Sequence, residues 1–490
     1  MRFACTLFFV LLLTLPAAAQ DGRLPVDTTI TSRHTVTIKG QRVPYTATVG
    51  TQPVWGDDGE PIASLLYTYY ERSDVQDRLN RPLVFSFNGG PGSASVWMHL
   101  GYTGPKQLLI DDEGYPVQPY GVRDNPNSIL DVADIVFVNP VNVGFSRIVG
   151  DADREQFFGV NEDVAYLAAW IENFVTRQNR WRSPKFLIGE SYGTTRVSGL
   201  AGVLQDRHWL FLNGVVLVSP TGLGIDRDGP VGVALNLPYM AATAWYHRKL
   251  DNELQSWDLL ELLPEVEAFT IDTLIPTLVR GHSASDDLRA EVARQAARFS
   301  GVSADWWQSR NLEVSAGEFW KELLRDEGYT VGRLDSRYRG IDRENAGDRS
   351  DHNQELISWN HAFAPAINYY LREELGFRTD LRYWVFGPVS PWNRDGDNTG
   401  EQLRSAMAKN PNLHVLVQSG YYDGATQYFD AKYNLWQMDP SGRLKDRMRF
   451  EGYRSGHMMY LRAEDLVTSN EHIREFIAEA LETASTPARY

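Results

Sequence analysis

Apolar and polar residues alternate between positions 28 and 49 in two runs, 35–38 and 43–49, separated by Lys39-Gly40-Gln41. A period of two is the signature of a strand, and the glycine break between the runs predicts a β-hairpin. Residues 63–70, apolar and aromatic, predict a third strand. The pattern then changes. Leu83-Val84-Phe85-Ser86-Phe87, Ile135-Val136-Phe137-Val138, Lys185-Phe186-Leu187-Ile188 and Gly214-Val215-Val216-Leu217-Val218 are almost continuously apolar. Strands covered on both faces have this composition. Between them, Val164, Leu167, Ala168, Ile171, Phe174 and Val175 fall at helical spacing over 163–175, and 194–204 reads as a second helix. Strands alternating with helices predict an α/β fold with a mostly parallel sheet, helices on both faces and an antiparallel hairpin at the N-terminal side.

From about 225 to 375 the strand signal disappears. Helical stretches such as 286–299 and 316–326 dominate, with Trp306, Trp307 and Trp320 among many charged residues, as expected for a helical insertion capping the sheet. The α/β pattern returns at 413–417, then a mixed strand over 448–453 and a last helix over 464–483. The expected organisation is therefore a leader over 1–19, an α/β core in two parts, 20–225 and 376–490, and a cap over 226–375.

Composition narrows the function. With 43% hydrophobic and 23% charged residues, the chain has the balance of a globular enzyme. A formal net charge of −15 argues against nucleic acid or an anionic membrane as partner. Arg2, the apolar stretch 7–15 and Ala17-Ala18-Ala19 read as a cleaved secretory signal, too short to span a membrane. The single cysteine, Cys5, lies inside it. The mature chain then has no thiol, which excludes disulfides, thiolate catalysis and cysteine-ligated zinc. A secreted or periplasmic location follows, in a bacterial setting more readily than a eukaryotic one.

The chemistry centres on Gly189-Glu190-Ser191-Tyr192-Gly193, placed between a predicted strand and a predicted helix. A serine between two glycines at such a junction is a nucleophile elbow: a tight turn projects the hydroxyl beyond the sheet edge at a helix N-terminus. Such a serine needs a base, an orienting carboxylate and an oxyanion hole. His457 follows the last strand in a glycine-containing loop, and Asp423 follows strand 413–417. The order Ser191, Asp423, His457 is that of α/β-hydrolases. The glycine-rich Asn88-Gly89-Gly90-Pro91-Gly92 comes directly after a strand, and the Gly90 and Tyr192 N–H groups are the expected oxyanion donors. Asp395-Gly396-Asp397-Asn398 lacks the full spacing of a calcium loop and reads as a solvated turn.

Asn88-Gly89-Gly90-Pro91-Gly92-Ser93, Gly189-Glu190-Ser191-Tyr192-Gly193, residues 420–423, Gly456-His457-Met458 and the segment 139–146 together resemble the serine carboxypeptidase family. The resemblance implies removal of C-terminal residues from peptides and proteins by a Ser-His-Asp acyl-enzyme mechanism, with no metal or other cofactor. It also implies that Asn88, Gly89 and Glu190 bind the substrate carboxylate. Glu190 can donate a hydrogen bond to a carboxylate only when protonated. Where relatives often carry a Glu partner for it, this chain has Tyr102, so an activity shifted toward neutral pH is expected. An esterase or acyltransferase of the same fold, or a non-catalytic secreted binding protein, are the alternatives. The oligomeric state and the side-chain preference are not legible in the sequence.

Overall fold

A computed structural model describes residues 24–485 and 487; the expected leader over 1–19, with Cys5, lies outside the described residues. The main sheet contains β1 (Thr28–Ile38), β2 (Gln41–Trp55), β3 (Pro61–Arg72), β4 (Leu83–Phe87), β5 (Asp134–Val138), β6 (Lys185–Glu190), β7 (Gly214–Val218), β8 (His414–Gly420) and β9 (Met448–Tyr453). Their spatial order is β1-β2-β3-β5-β4-β6-β7-β8-β9, with the short strand Arg147–Ile148 pairing beside β3. The first three strands are antiparallel, and β3 pairs antiparallel with β5. From β5 to β9 every pairing is parallel.

The parallel strands are apolar on both sides because both faces are covered. In β7, Val215 and Leu217 enter one hydrophobic cluster while Val216 and Val218 enter the other. In β6, Leu187 faces the first, and Phe186 and Ile188 face the second. This is the two-residue alternation of a pleated strand, with a core on each side. One core is closed by α1 (Val160–Arg177), α2 (Tyr192–His208) and helix Thr399–Lys409, through residues such as Ile171, Leu200 and Leu403. The other is closed by helices Gln354–Tyr369 and Ala463–Ala484, through Trp359, Phe363, Ile473 and Phe476.

Helices Asn236–Tyr246, Leu259–Phe269 and Asp286–Ser300 share a separate cluster with Trp306, Trp307 and Phe319. Within the stretch expected to lack strands, Thr330–Val331 and Arg339–Gly340 form a small antiparallel pair. The loop between them reaches down onto the ends of β8 and β9: Ser336 N–H donates to the Tyr422 carbonyl at 2.9 Å.

At the opposite end of the sheet, a buried carboxylate ties the start of β5 to its neighbours. Asp134 accepts from Arg81 at 2.8 Å, from Arg180 at 2.8 Å and from the Arg72 N–H at 3.0 Å. Asp134 and Arg180 are completely inaccessible to solvent. Removing the carboxylate leaves two guanidinium groups facing each other in a dry site, and breaking such a buried pair costs about 3–5 kcal/mol. Asp134→Ala is therefore expected to lower the unfolding free energy, measured by denaturant titration, by a matching amount; a value within about 1 kcal/mol of the native protein's contradicts this role.

Candidate active site

The expected site residues lie at or beyond the C-terminal ends of parallel strands, where ligands bind in open α/β sheets. Asn88 follows β4, Ser191 follows β6, Asp423 follows β8 and His457 follows β9. Ser191 sits between the last residue of β6 and the first of α2 with φ 57° and ψ −127°. A non-glycine residue in that region stores about 1–3 kcal/mol of strain and persists only where its surroundings over-determine it. Here its N–H donates to the Val218 carbonyl of β7 at 2.9 Å, and its carbonyl accepts from the Thr194 N–H at 2.8 Å and the Thr194 hydroxyl at 2.6 Å. A Cβ on Gly189 would lie 2.1 Å from the Gly193 carbonyl oxygen, and one on Gly193 would lie 2.9 Å from that of Phe87. Both glycines are thus required by close backbone approach.

Asp423 is buried, and each oxygen accepts two hydrogen bonds. Oδ1 takes the N–H groups of Ala425 at 2.8 Å and Thr426 at 3.1 Å. Oδ2 takes the Thr426 hydroxyl and His457 Nδ1, each at 2.7 Å. Because a carboxylate only accepts, Nδ1 carries the proton and Nε2 is the basic nitrogen of the neutral ring. The His457 backbone is pinned from both sides: its N–H donates to the Leu334 carbonyl at 2.6 Å, and its carbonyl accepts from Ser219 Oγ at 2.7 Å. Burial counts against a charged imidazole, but the charge and hydrogen bond of Asp423 outweigh it, so the His457 pKa lies above the usual value. His457 and Ser191 line one cavity of about 480 Å³.

Gly89, Gly90 and Tyr192 line the same cavity. A side chain on Gly89 would stand 2.5 Å from the Tyr192 nitrogen and cover it. Among the described residues, neither the Gly90 N–H nor the Tyr192 N–H is taken by a backbone carbonyl. The loop carrying Gly89 and Gly90 is held by Arg196, which donates to the Asn88 carbonyl at 2.6 Å while paired at 2.7 Å with Asp163. Both partners of that ion pair are buried.

Asn88 Oδ1 accepts from the Met98 N–H at 2.9 Å, and its buried Nδ2 is left without a hydrogen-bond acceptor. Glu190 lies nearby. Burial pushes its carboxyl up to about 7, against the opposing influence of His457 and a hydrogen bond from Tyr460. Tyr102 makes no hydrogen bond to Glu190. Its ring stacks on Tyr460 at 4.7 Å, and its hydroxyl donates to Gln418 at 2.6 Å. The Tyr460 hydroxyl donates to Glu190 Oε2.

Other residues complete the cavity. Trp97 both packs against Phe386, with ring centroids 5.2 Å apart, and lines the cavity. Asp397, read from sequence as part of a solvated turn, also lines it, as do Arg333, Leu334, Arg394 and Thr426. Only Thr426 carried any sequence signal, its position three residues after Asp423. Among the described residues, no group of three or more His, Cys, Asp or Glu side chains is placed to hold a metal ion, and no helix is long and apolar enough to cross a membrane.

Residues 57–254 match the family model described as "Serine carboxypeptidase". Among curated proteins, Serine carboxypeptidase-like 38 of Arabidopsis thaliana is 26% identical over 177 residues, covering 35% of this chain and 33% of that protein. Serine carboxypeptidase-like 32 of the same plant is 26% identical over 252 residues, 48% of each chain. The chain thus spans between a third and a half of the length of these two relatives. The crystal structure of Kex1(Δ)p, a prohormone-processing carboxypeptidase from Saccharomyces cerevisiae, superposes with a TM-score of 0.53 at 13% identity, covering 89% of this chain and 92% of that one. The protein therefore has the α/β-hydrolase fold, and its matched segment, which carries Asn88–Gly92 and Gly189–Gly193, is similar in sequence to serine carboxypeptidases.

Proposed function

We propose that the chain is a serine-type carboxypeptidase that releases C-terminal residues from peptides, acting outside the cytoplasm after removal of residues 1–19. The observation that carries this reading is the buried Asp423–His457 hydrogen bond of 2.7 Å on a cavity shared with the strained Ser191. Ser191 Oγ attacks the last peptide carbonyl as His457 Nε2 takes its proton. The Gly90 and Tyr192 N–H groups receive the charge that develops on the carbonyl oxygen. Asp423 stabilises the imidazolium, which returns the proton to the departing amino acid. Water, activated by the same imidazole, then cleaves the acyl-enzyme.

A free C-terminal carboxylate is an unusual ligand for a site that contains a buried carboxyl. The unpaired Asn88 Nδ2 supplies one donor, next to Gly89, which lines the cavity. Glu190 supplies the second donor while protonated, which its value of about 7 permits up to neutral pH. Hydrogen bonds to a charged group are worth about 1.5–3 kcal/mol, so a peptide with a free carboxyl is expected to exceed its amidated copy by roughly tenfold to a hundredfold in kcat/KM. Equal rates on the two peptides favour an esterase or acyltransferase and contradict the reading.

Two titrations frame the pH dependence. His457 must be neutral to accept a proton, so activity rises as pH passes its elevated pKa. Glu190 must be protonated to donate, so activity on free-acid peptides falls again above about pH 7. Glu190→Gln, which keeps a donor but cannot ionise, is expected to lose the descending limb. Tyr460→Phe removes a hydrogen bond that lowers the Glu190 pKa, so that limb is expected to move upward. A descending limb unchanged in E190Q rules out this role for Glu190.

A further inference from the structure

The cavity carries charges that the mechanism above does not use. Arg333 and Arg394 both line it and are exposed, and among the described residues neither guanidinium has a hydrogen bond or ion pair. Asp397 is the acidic side chain in the described lining, and it accepts from the Thr399 hydroxyl at 3.2 Å. A chain of formal net charge −15 thus keeps two cations without a direct ion-pair partner at its candidate active site. Low-dielectric cleft walls focus such a local field.

The backbones that carry the arginines are anchored. The Arg333 carbonyl accepts from the Gly424 N–H at 3.0 Å, and the carbonyl of the next residue, Leu334, accepts from the His457 N–H at 2.6 Å. Arg333 is therefore stitched to both loops that present Asp423 and His457, and its charge works against protonation of His457. The neighbouring Glu355 is buried, which pushes its carboxyl up to about 7, so it neutralises Arg333 incompletely at neutral pH. Arg394 is anchored through a different element, on a turn tied to α1 by Val160 N–H to the Asn393 carbonyl at 2.9 Å. Trp392, two residues earlier, packs edge-on against Tyr192 with centroids 5.3 Å apart.

The two anchorages, one at His457 and one at Tyr192, correspond to the two halves of a substrate. His457 returns its proton to the departing amine, so the C-terminal residue lies on the His457 side, beside Arg333. The acyl half extends from the Tyr192 side, beside Arg394. Resting on the carboxypeptidase reading above, we infer that this site selects acidic peptides: Arg333 pairs with the side-chain carboxylate of a C-terminal glutamate or aspartate, and Arg394 with an acidic side chain in the acyl half.

The test uses blocked dipeptides with free carboxyl groups at neutral pH, compared as isosteric pairs: -Ala-Glu with -Ala-Gln, and -Glu-Ala with -Gln-Ala, alongside -Ala-Lys. Solvent-accessible ion pairs are worth up to about 1 kcal/mol, which corresponds to a Glu-over-Gln ratio of about fivefold in kcat/KM. The ratio is expected to shrink in high salt as the charges are screened. Arg333→Gln is expected to bring the C-terminal ratio to about one while Arg333→Lys retains it, and Arg394→Gln is expected to do the same for the acyl-side ratio. If all the free-acid peptides are trimmed but Gln or Lys is favoured over Glu, or R333Q keeps the native ratio, the inference is overturned and the carboxypeptidase reading stands. If none of them is trimmed, both fall.

Discussion

The backbone of Ser191 cannot relax on its own. Its φ of 57° is tolerated because three parallel strands end side by side around it. β4 places Phe87 opposite Gly189, and β7 places Val218 opposite Glu190, so the carbonyls that confine the turn arrive in register. The same packing explains why the glycines at 89, 189 and 193 surround one serine. A Cβ at any of them meets backbone at 2.9 Å or less, where nothing flexible can yield. The site is thus a consequence of how the sheet terminates, and helices that cover both faces hold that termination rigid.

Electrostatics then divides labour between two buried groups. His457 is drawn toward its charged form by Asp423, and Glu190 is driven toward its neutral form by desolvation. In the proposed reaction both shifts are useful: the neutral imidazole becomes a base strong enough to take a serine proton, and the protonated carboxyl an acid able to donate to a carboxylate. Each is held by an element distant in sequence. The loop between Val331 and Arg339 pins His457 through Leu334, and the stacked pair Tyr102–Tyr460 aims a hydroxyl at Glu190.

The amino-acid pattern made the central sheet readable because buried strands are nearly pure in composition. β4, β7 and β9 begin and end where their apolar or mixed runs do. Helix ends were less legible. α2 extends to His208, four residues beyond its apolar pattern, because Trp209 can close it in a left-handed conformation. Helix Gln354–Tyr369 looked like part of the cap, yet its residues Trp359, Phe363 and Ile367 pack against the sheet, which local spacing does not distinguish. In the candidate site, residues with their own motif were visible. Those acting through tertiary contact were not: Tyr460 reaches Glu190 across 270 positions, and Arg333 stands beside His457 only because a cap loop folds back.

Reaction of the intact protein with a fluorophosphonate, read by mass spectrometry of its peptides, tests the central claim most directly. A single adduct on the peptide containing Ser191 is expected, absent from Ser191→Ala. Asp423→Asn should slow its formation by about 10⁴-fold, since the wrong imidazole tautomer is then held. No adduct, an adduct on another residue, or an unchanged rate in D423N contradicts the account.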